Sequence, residues 1–390
     1  MSRVFYISRT DLSDSPYPEV TLPVLARAGH ELTIAAPNAS KSLYRSHLPF
    51  PSEVIDLPCG TSVGSELAVM KRLLAARFGR YDVIYVNSQS MSLRAAIGLT
   101  GPKLGKKIVY HNPDYYSPAD FPLSARLERR LCRQCDLYVN VEFHRAYITS
   151  VMYGCRCPVI TCPPNLPRAW PIAAPSEEKR FRMTGGDPDA FVLMMHGGYS
   201  EIRMSPQLIE ALASLPAHIR LVMTGKPQTR DKVDDIFDQL GLAPRVLRLP
   251  RIDFDEMLSY TVNADAAVLL YQNSDLGNFF TAPGRLTEYL ICGLPLLASN
   301  HTGLENLVLR FQAGETADST KPRSIAAAIT RLERGVRQNS FPRARMRSIF
   351  DQHLAFDHWE PVFAGAFEQM LRGGGDHSDR RPPFPWLTSS

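Results

Sequence analysis

Apolar residues are grouped along most of this chain into short continuous runs that alternate with longer segments of helical period. Residues 3–8, 31–37 and 191–195 are such runs, and each is followed by a segment in which apolar positions recur every three or four residues. Short apolar runs bounded by turns indicate buried strands, and the longer segments indicate amphipathic helices. Regular alternation of the two predicts an α/β fold with parallel sheets covered on both faces.

The same pattern gives the limits of each predicted element. The predicted strands are residues 3–8, 31–37, 53–57, 82–87, 107–111, 137–141, 191–195, 220–224, 246–249, 266–271 and 294–298. The predicted helices are residues 17–29, 65–78, 91–99, 123–135, 143–153, 206–214, 230–240, 254–263, 283–292, 324–336 and 358–371.

A proline-rich segment interrupts this alternation. Residues 155–189 contain prolines at 158, 163, 164, 167, 171, 175 and 188, and such stretches commonly join domains. We predict two doubly wound domains of similar size facing a cleft, residues 1–165 and 189–340, joined by a linker at 166–188. C-terminal helices at 341–372 are expected to pack back on the first domain. The Gly-, Pro- and Ser-rich tail at 373–390 is expected to be disordered.

Composition describes a globular protein without a membrane-spanning segment. Apolar residues make up 44% of the chain and charged residues 21%, and no apolar run approaches the roughly 20 residues of a membrane span. The first ten residues do not resemble a signal peptide, so we expect a cytoplasmic location.

Positive charge is concentrated in the first half of the chain. Residues 1–165 hold 19 Lys and Arg against 13 Asp and Glu, although the whole chain carries only +5. The basic runs at 71–80 and 125–133 predict either solvated helix faces or contact with the inner face of a membrane or an anionic substrate. Basic and aromatic residues are not interleaved, which argues against nucleic-acid binding.

The seven cysteines do not form a recognisable framework. An odd number in a cytoplasmic context argues against structural disulfides. Cys132 and Cys135 lie one helical turn apart, and Cys155, Cys157 and Cys162 follow, so zinc is an alternative. Structural zinc pairs sit on tight knuckles, whereas the first two lie inside a predicted helix. We expect small buried side chains and no metal site.

One predicted helix carries an isolated carboxylate close to its start. Pro283 suits a first helical turn, and Gly293 provides a stop just after Cys292. Glu288 lies between them, on a helix whose first amides are free to bind an anion. It is either a solvated surface residue or a binding-site acceptor.

Glycines follow two of the predicted strands in the second domain. Gly197 and Gly198 come directly after residues 191–195, and the sequence T-G-K ending in Lys226 follows residues 220–224. In parallel sheets, ligands bind beyond the carboxyl ends of the strands, and glycines there allow a ligand to approach the backbone. No G-x-G-x-x-G or P-loop sequence is present, which removes the main support for nicotinamide or ATP binding.

The order of these motifs resembles a known family. The motifs, in order, are strand–Gly-Gly–helix, strand–T-G-K–helix, N-A-D-A-A-V-L-L-Y and A-P-G-R-L-T-E-Y-L-I-C-G-L-P-L-L-A-S. Taken together, they resemble the donor-binding domain of GT-B glycosyltransferases. The likeness is to the mostly retaining, family 4-like superfamily of bacterial lipopolysaccharide and mannosyl transferases. Residues 191–308 carry it, while the first domain is similar only in layout.

The resemblance implies roles for the motif residues. Glu288 would accept hydrogen bonds from the ribose hydroxyls of a nucleotide-diphosphate sugar, and amides near Thr281 and Gly284 would hold the diphosphate. The family commonly has a second glutamate eight positions before the first, and an Arg and a Lys in the glycine loop. Those positions are Phe280, Gly198 and Met204 here. Arg203, Lys226 and Arg285 are the cations available to replace them.

On the acceptor side, the resemblance points to a histidine after a late strand of the first domain. His111 matches that position. In a retaining transfer it would orient the sugar or pass a proton; in an inverting one, His111, Asp114 or Asp11 would be the base. From the residues alone, His111 is equally a hydrogen-bonded strand-end residue, and Asp11 is equally a helix cap.

We therefore expect a cytoplasmic hexosyltransferase-like enzyme that takes a nucleotide-diphosphate sugar as co-substrate and needs no cofactor or metal. Its acceptor would be a carbohydrate, a lipid-linked acceptor or a small molecule bearing a hydroxyl group. Two alternatives stay open: an epimerase of nucleotide sugars on the same fold, and a degenerate member that binds nucleotide or a partner protein without catalysis.

Overall fold

The computed structural model describes most of both halves of the chain. The described residues are 1–9, 17–39, 51–59, 64, 65, 68, 80–87, 106–112, 122–225, 236, 237, 239–281 and 284–373. The chain divides into two compact units: the first combines Met1–Pro167 with Phe356–Ser390, and the second is Arg168–Ala355.

The first unit is built on a parallel seven-stranded sheet. Its spatial order is β3-β2-β1-β4-β5-β6-β7, and every neighbouring pair is parallel. The strands are β1 Arg3–Ser8, β2 Glu31–Pro37, β3 Pro51–Leu57, β4 Val83–Asn87, β5 Lys107–Asn112, β6 Leu137–Asn140 and β7 Val159–Thr161. The described helices before the crossover to the second unit are α1 Tyr17–Arg27, α2 Pro122–Cys132 and α3 Phe143–Tyr153.

The strands of this sheet are buried on both faces. The side chains of β4 and β6 are buried along their whole length, as expected for a parallel sheet with helices on both sides. Alternate residues therefore enter two separate apolar clusters, one containing Tyr6 and Tyr85 and the other containing Phe5 and Ile84.

The second unit contains a parallel six-stranded sheet of order β10-β9-β8-β11-β12-β13. Its strands are β8 Phe191–Met195, β9 Ile219–Thr224, β10 Val246–Leu249, β11 Ala266–Leu269, β12 Leu296–Ser299 and β13 Gly314–Ala317. The described helices are α4 Glu177–Thr184, α5 Ser205–Ala213, α6 Phe254–Thr261, α7 Leu276–Phe279, α8 Gly284–Ile291, α9 Thr302–Phe311, α10 Pro322–Arg337 and α11 Arg343–Ile349. The predicted α/β class with two Rossmann-like sheets is confirmed.

The end of the chain belongs to the first unit. Helix α12, Glu360–Leu371, contributes Phe363 and Phe367 to the cluster around Tyr6 and Tyr85. Its carboxylate Glu360 accepts a hydrogen bond of 2.6 Å from Arg27 on α1. The last described helix thus completes a core that begins with the first strand.

Several local predictions were wrong. The expected linker at 166–188 contains α4, which Ser176 caps by accepting a hydrogen bond from the Lys179 amide. Strands β7 and β13 lie where no strand was predicted. Helix α2 ends at Cys132, so Cys135 lies beyond the helix in which it was placed.

Other predictions fall outside the described residues. They concern all of the predicted helix at 91–99, most of those at 65–78 and 230–240, and the tail from 374 onward. Within the described part of the chain, every helix is too short or too polar to cross a membrane.

Candidate functional site

The strand ends of the second unit meet at backbone distance. Strand β8 is followed by Gly197 and Gly198, and β9 by Gly225; all three have positive φ angles of 83° to 98°. The Gly198 amide donates a hydrogen bond of 2.8 Å to the Thr224 carbonyl. A Cβ atom at Gly225 would lie 2.7 Å from the Gly198 nitrogen. Only glycine allows the two loops to come this close.

Two arginines converge on Gly197. A Cβ atom placed there would lie 2.9 Å from Nη1 of Arg203 and 3.2 Å from Nη1 of Arg285. Arg203 donates to the carbonyls of Gly197 and Gly198, and Arg285 donates to the carbonyl of His196 at 3.1 Å. The structure therefore brings together two of the three cations that the sequence offered.

These arginines concentrate positive charge around Gly197. Among the described residues, neither guanidinium has an acidic side chain within ion-pairing distance. Burial and, to a smaller extent, the nearby charge of Arg285 together lower the pKa of Arg203 to about 10. Arg203 still carries its proton at neutral pH, so this loop is suited to an anion with several acceptor oxygens.

Glu288 lies one turn after Arg285 on α8, and it is buried rather than solvated. Burial raises the pKa of this carboxyl to about 7, although the charge of Arg285 opposes the shift. At neutral pH the carboxyl is close to half-protonated. The surface interpretation of Glu288 was therefore wrong, and the residue forms part of a buried polar site.

Two aromatic residues complete the site, and the sequence analysis did not single them out. The His196 ring lies 4.2 Å from that of Tyr289, and the His196 amide donates to the Tyr289 hydroxyl at 3.0 Å. Nδ1 of His196 lies 3.3 Å from a Glu288 oxygen. The feature of the sequence that could have identified His196 is its position, directly between a buried strand and the glycine pair.

Thr281 and Gly284, on either side of the expected helix start, are both described. Thr281 is buried, and α8 begins at Gly284, whose carbonyl accepts a hydrogen bond from the Thr287 hydroxyl at 2.6 Å. A Cβ atom at Gly303 would lie 2.6 Å from the Thr281 carbonyl oxygen. This contact holds the backbone at Thr281 close to the first turn of α9.

Two of the three departures from the family motif, Phe280 and Met204, have well-defined surroundings. Phe280 ends α7 and packs edge-on against Phe279, with ring centroids 5.0 Å apart. Met204 has a φ angle of 52° and is buried in the apolar core of the unit. The cation of the glycine loop is therefore its neighbour, Arg203.

The predicted residues of the first unit are only partly described. His111 lies near the end of β5, fully buried, and its Nδ1 atom is 2.9 Å from the Tyr85 hydroxyl. Burial lowers the pKa of His111 to about 3, so the imidazole is neutral at physiological pH. Asp11, Asp114 and, in the second unit, Lys226 lie outside the described residues.

Four cysteines of the first unit lie close together. The Sγ atoms of Cys135 and Cys157 are 3.4 Å apart, and Cys132 contacts Cys155. All four are buried, and burial raises the pKa of the Cys132 thiol. In the described part of the chain, no group of three or more His, Cys, Asp or Glu side chains has a geometry suited to a metal ion.

Comparison with known families assigns both halves of the chain. Residues 177–344 match the family of glycosyl transferases group 1, and residues 22–153 match glycosyltransferase family 4. The two matches together extend over most of both units.

One relative is similar over almost the whole length and another over a shorter stretch. A GDP-mannose-dependent alpha-(1-6)-phosphatidylinositol monomannoside mannosyltransferase of Mycolicibacterium smegmatis is 23% identical over 374 residues, covering 92% of this chain and 94% of the relative. The amylovoran biosynthesis glycosyltransferase AmsK of Erwinia amylovora is 28% identical over 106 residues, 26% of each chain.

Solved structures share the fold. Anabaena HepE, crystallised with UDP-glucose, superposes with a TM-score of 0.77 at 16% identity, covering 95% of this chain and 100% of that one. Sucrose-phosphate synthase from Thermosynechococcus elongatus gives 0.71 at 15% identity, with 96% and 100% coverage. With both sheets parallel and both family matches in place, this chain belongs to the GT-B glycosyltransferases of the family 4-like type.

Proposed function

We propose that this enzyme transfers a sugar from a nucleoside diphosphate sugar to a hydroxyl group, with retention of configuration and without a metal ion. The observation that carries the proposal is the convergence of Arg203 and Arg285 on Gly197, one helical turn from the buried Glu288. Two cations beside a carboxyl match the two ends of a nucleoside diphosphate: the anionic diphosphate and the ribose diol.

In this proposal the diphosphate is bound by Arg203, Arg285 and Lys226, together with amides of Gly197 and Gly198 and the start of α8. Backbone amides at a helix start and guanidinium groups both favour phosphate oxygens. The Glu288 carboxylate accepts hydrogen bonds from the ribose hydroxyls. HepE is described in complex with UDP-glucose, and the mycobacterial relative is GDP-mannose-dependent, which supports a donor of this class.

The same groups supply the chemistry. When the bond between sugar and diphosphate breaks, negative charge grows on the leaving diphosphate. Cations fixed before the reaction stabilise this charge without reorganising. The guanidinium groups are already tied to backbone carbonyls, so they are held in place for that task.

We propose that the acceptor is a carbohydrate, a lipid-linked molecule or a small molecule, and that His111 orients the reacting sugar. Its low pKa and its contact with Tyr85 suit a neutral hydrogen-bonding group better than a general base. Asp11 and Asp114 remain the proposed bases for an inverting reaction.

We expect His111→Ala to lower kcat with little change in donor affinity, as measured by steady-state kinetics once an acceptor is known.

We also propose peripheral membrane contact through the first unit. Helix α2 exposes Leu123 and Arg126, and α3 exposes Tyr147 and Val151. The Arg129 guanidinium joins the two helices by donating to the Met152 carbonyl at 3.3 Å. Arginines beside exposed apolar side chains are typical of surfaces that bind anionic lipid.

The experiment for the donor site is a thermal-shift screen of UDP, GDP and their sugars. A ligand present at about one hundred times its Kd should stabilise the protein by about 2.7 kcal/mol.

For the ligand that binds, Arg285→Ala should weaken affinity by about 2 kcal/mol, roughly thirtyfold, because a charged hydrogen-bond donor is lost. The anomeric configuration of the product, read by proton NMR, tests retention.

Arg334→Ala is the matched control, because Arg334 is an exposed arginine on α10 of the same unit. It should bind nucleotide as the wild type does. Failure of every nucleotide to shift the wild-type melting temperature would overturn the proposal. Binding without hydrolysis or transfer would instead point to a degenerate member that has kept the site.

A further inference from the structure

His196 is buried in the second unit without the hydrogen bonds that an imidazole needs. Its side chain is 1% exposed, and within the described part of the chain neither Nδ1 nor Nε2 has a hydrogen-bond partner. Leaving a buried polar group unpaired costs about 1–3 kcal/mol, and such groups are uncommon in folded proteins. An unpaired imidazole in this position indicates that one of its ring nitrogens forms a hydrogen bond in another state of the site.

The surroundings of His196 identify that partner. Its backbone is fixed on both sides, by the Tyr289 hydroxyl and by the Arg285 guanidinium. Its ring lies tilted by 57° against Tyr289. Nδ1 faces Oε2 of Glu288 at 3.3 Å, close enough for an ion pair but not aligned as a hydrogen bond. A small rotation of either side chain would align the two groups.

We propose that His196 is a positioning residue for the donor: its Nδ1–H group donates to the Glu288 carboxylate and fixes the oxygens that receive the ribose hydroxyls. This inference rests on the donor site proposed above. A carboxylate has room for several donors, so the imidazole and the diol bind the same carboxylate without competing. The imidazole itself stays neutral, because burial lowers its pKa and Arg285 and Arg203 lower it further.

The proton balance makes the inference measurable. The charged and titratable groups around the pair are Arg203, Arg285, Tyr271, Tyr289 and Cys292. Because burial raises the pKa of Glu288 to about 7, the ligand-free carboxyl is protonated below that pH. The carboxylate accepts from both hydroxyls of a diol, whereas the protonated carboxyl keeps fewer acceptor sites, so diol binding favours release of the proton. Nucleotide affinity should be constant above pH 8 and fall as the pH is lowered through 7.

Three substitutions separate a hydrogen bond from simple packing. His196→Asn places an amide N–H close to the position of Nδ1, whereas His196→Gln places one close to Nε2, and His196→Phe retains only the ring. We expect Asn to bind nucleoside diphosphate within about threefold of wild type. Phe and Gln should bind about tenfold more weakly, with kcat reduced less than the donor KM is raised.

Ligand analogues test which part of the nucleotide is involved. The probes are UDP and GDP, each compared with its 2′,3′-dideoxy form by calorimetric titration at pH 8.5 and pH 6. The tenfold loss in His196→Phe should disappear with the dideoxy probe, because the diol that Glu288 receives is absent. An equal loss with both probes would mean that His196 acts only through packing, and the inference would fail.

The ring proton gives a second readout that needs no ligand. Nitrogen chemical shifts of His196 at pH 8.5 should show the proton on Nδ1; a proton on Nε2 would refute the inference. If wild-type protein bound neither UDP nor GDP, the proposed function would fail, while the tautomer would still decide the pairing with Glu288. If it bound both and the substitutions had no effect, the inference alone would fail.

Discussion

At the scale of single residues, the site depends on three charges placed within one helical turn and one loop. Arg285 and Glu288 share a face of α8, and Arg203, which follows β8, lies close to Gly197 as Arg285 does. Arg285 lowers the pKa of Glu288, but burial raises it by more. The effect of desolvation on the pKa of Glu288 is therefore larger than the effect of the Arg285 charge, and the carboxyl titrates near neutral pH.

This balance predicts a pH dependence of stability. The folded pKa of Glu288, about 7, exceeds the ordinary value of 4.5, so the folded state binds the proton more tightly than the unfolded state. The resulting stabilisation is present below pH 4.5 and is lost as pH rises through 7. Its size is about 3 kcal/mol at 1.36 kcal/mol per pKa unit. Relative to Glu288→Gln, the wild type should lose this amount between pH 4.5 and 8, as measured by denaturant unfolding.

Glu210→Gln provides the comparison, because Glu210 is an exposed glutamate on α5 in the same unit. Its unfolding free energy should follow that of the wild type at each pH. A constant difference between wild type and Glu288→Gln across the range would show that Glu288 titrates as a solvated residue.

The sequence predicted some of these residues and not others. Glu288 was reached through the family resemblance, whereas Arg203 and Arg285 were reached as the cations available to replace the Arg and Lys that the motif lacks here. His196 was not, since a histidine at a strand end looks the same whether it is paired or unpaired. Its significance depends on Glu288 and Tyr289, which lie about ninety residues further along the chain.

At the scale of elements, α2 and α3 form the surface through which we propose that the first unit contacts a membrane. Helix α2 places arginines and Leu123 on its exposed side, while Glu128 and Leu131 are buried. Each Lys or Arg near an anionic membrane surface contributes about 1 kcal/mol to the free energy of membrane binding. Val151 and Tyr147 add exposed apolar area on the neighbouring helix.

We therefore expect the protein to sediment with vesicles containing phosphatidylserine or phosphatidylglycerol, and less so as salt is raised. The double substitution Arg126→Gln with Arg129→Gln should weaken this binding by about 2 kcal/mol. A double Gln substitution of Arg323 and Arg334 on α10 removes the same charge from the other unit. Equal loss in both variants would mean non-specific attraction rather than a surface formed by α2 and α3.

Most elements were predicted from periodicity, and the two strands that were missed share a cause. Strand β7 has three residues and lies among prolines, and β13 reads Gly-Glu-Thr-Ala with partly exposed side chains. Both are edge strands of their sheets. An edge strand is recognised by its hydrogen-bonded neighbour rather than by its own apolar pattern, so single-sequence periodicity does not show it.

At the scale of the whole molecule, the chain begins and ends in the same unit. Phe356 donates its amide to the Leu166 carbonyl at 3.0 Å, which joins the returning segment to the end of the first stretch. Trp359, Phe363 and Phe367 are then buried in the core with Tyr6 and Tyr85. The apolar core on one face of the first sheet is therefore completed by a segment far along the chain from its first strand.

Phe363→Ala should destabilise the first unit by about 3–5 kcal/mol, because a large buried side chain is removed and a cavity remains. Denaturant unfolding followed by tyrosine and tryptophan fluorescence measures the effect. Phe181→Ala is the matched control: Phe181 is 68% exposed on α4, and surface changes usually remain within about 0.5 kcal/mol. A small effect at Phe363 would show that α12 contributes little to the folded core.

The sequence by itself determined the α/β class, the two parallel sheets and the identity of the glycine loop, since these depend on local periodicity and on short motifs. Tertiary structure alone decided that Glu288 is buried, that Arg203 and Arg285 converge on one glycine, and that His196 faces Glu288. Burial and charge proximity arise from residues distant in sequence that fold onto the same strand ends. They shift pKa values and leave buried polar groups unpaired. Neither effect can be predicted from the local sequence pattern.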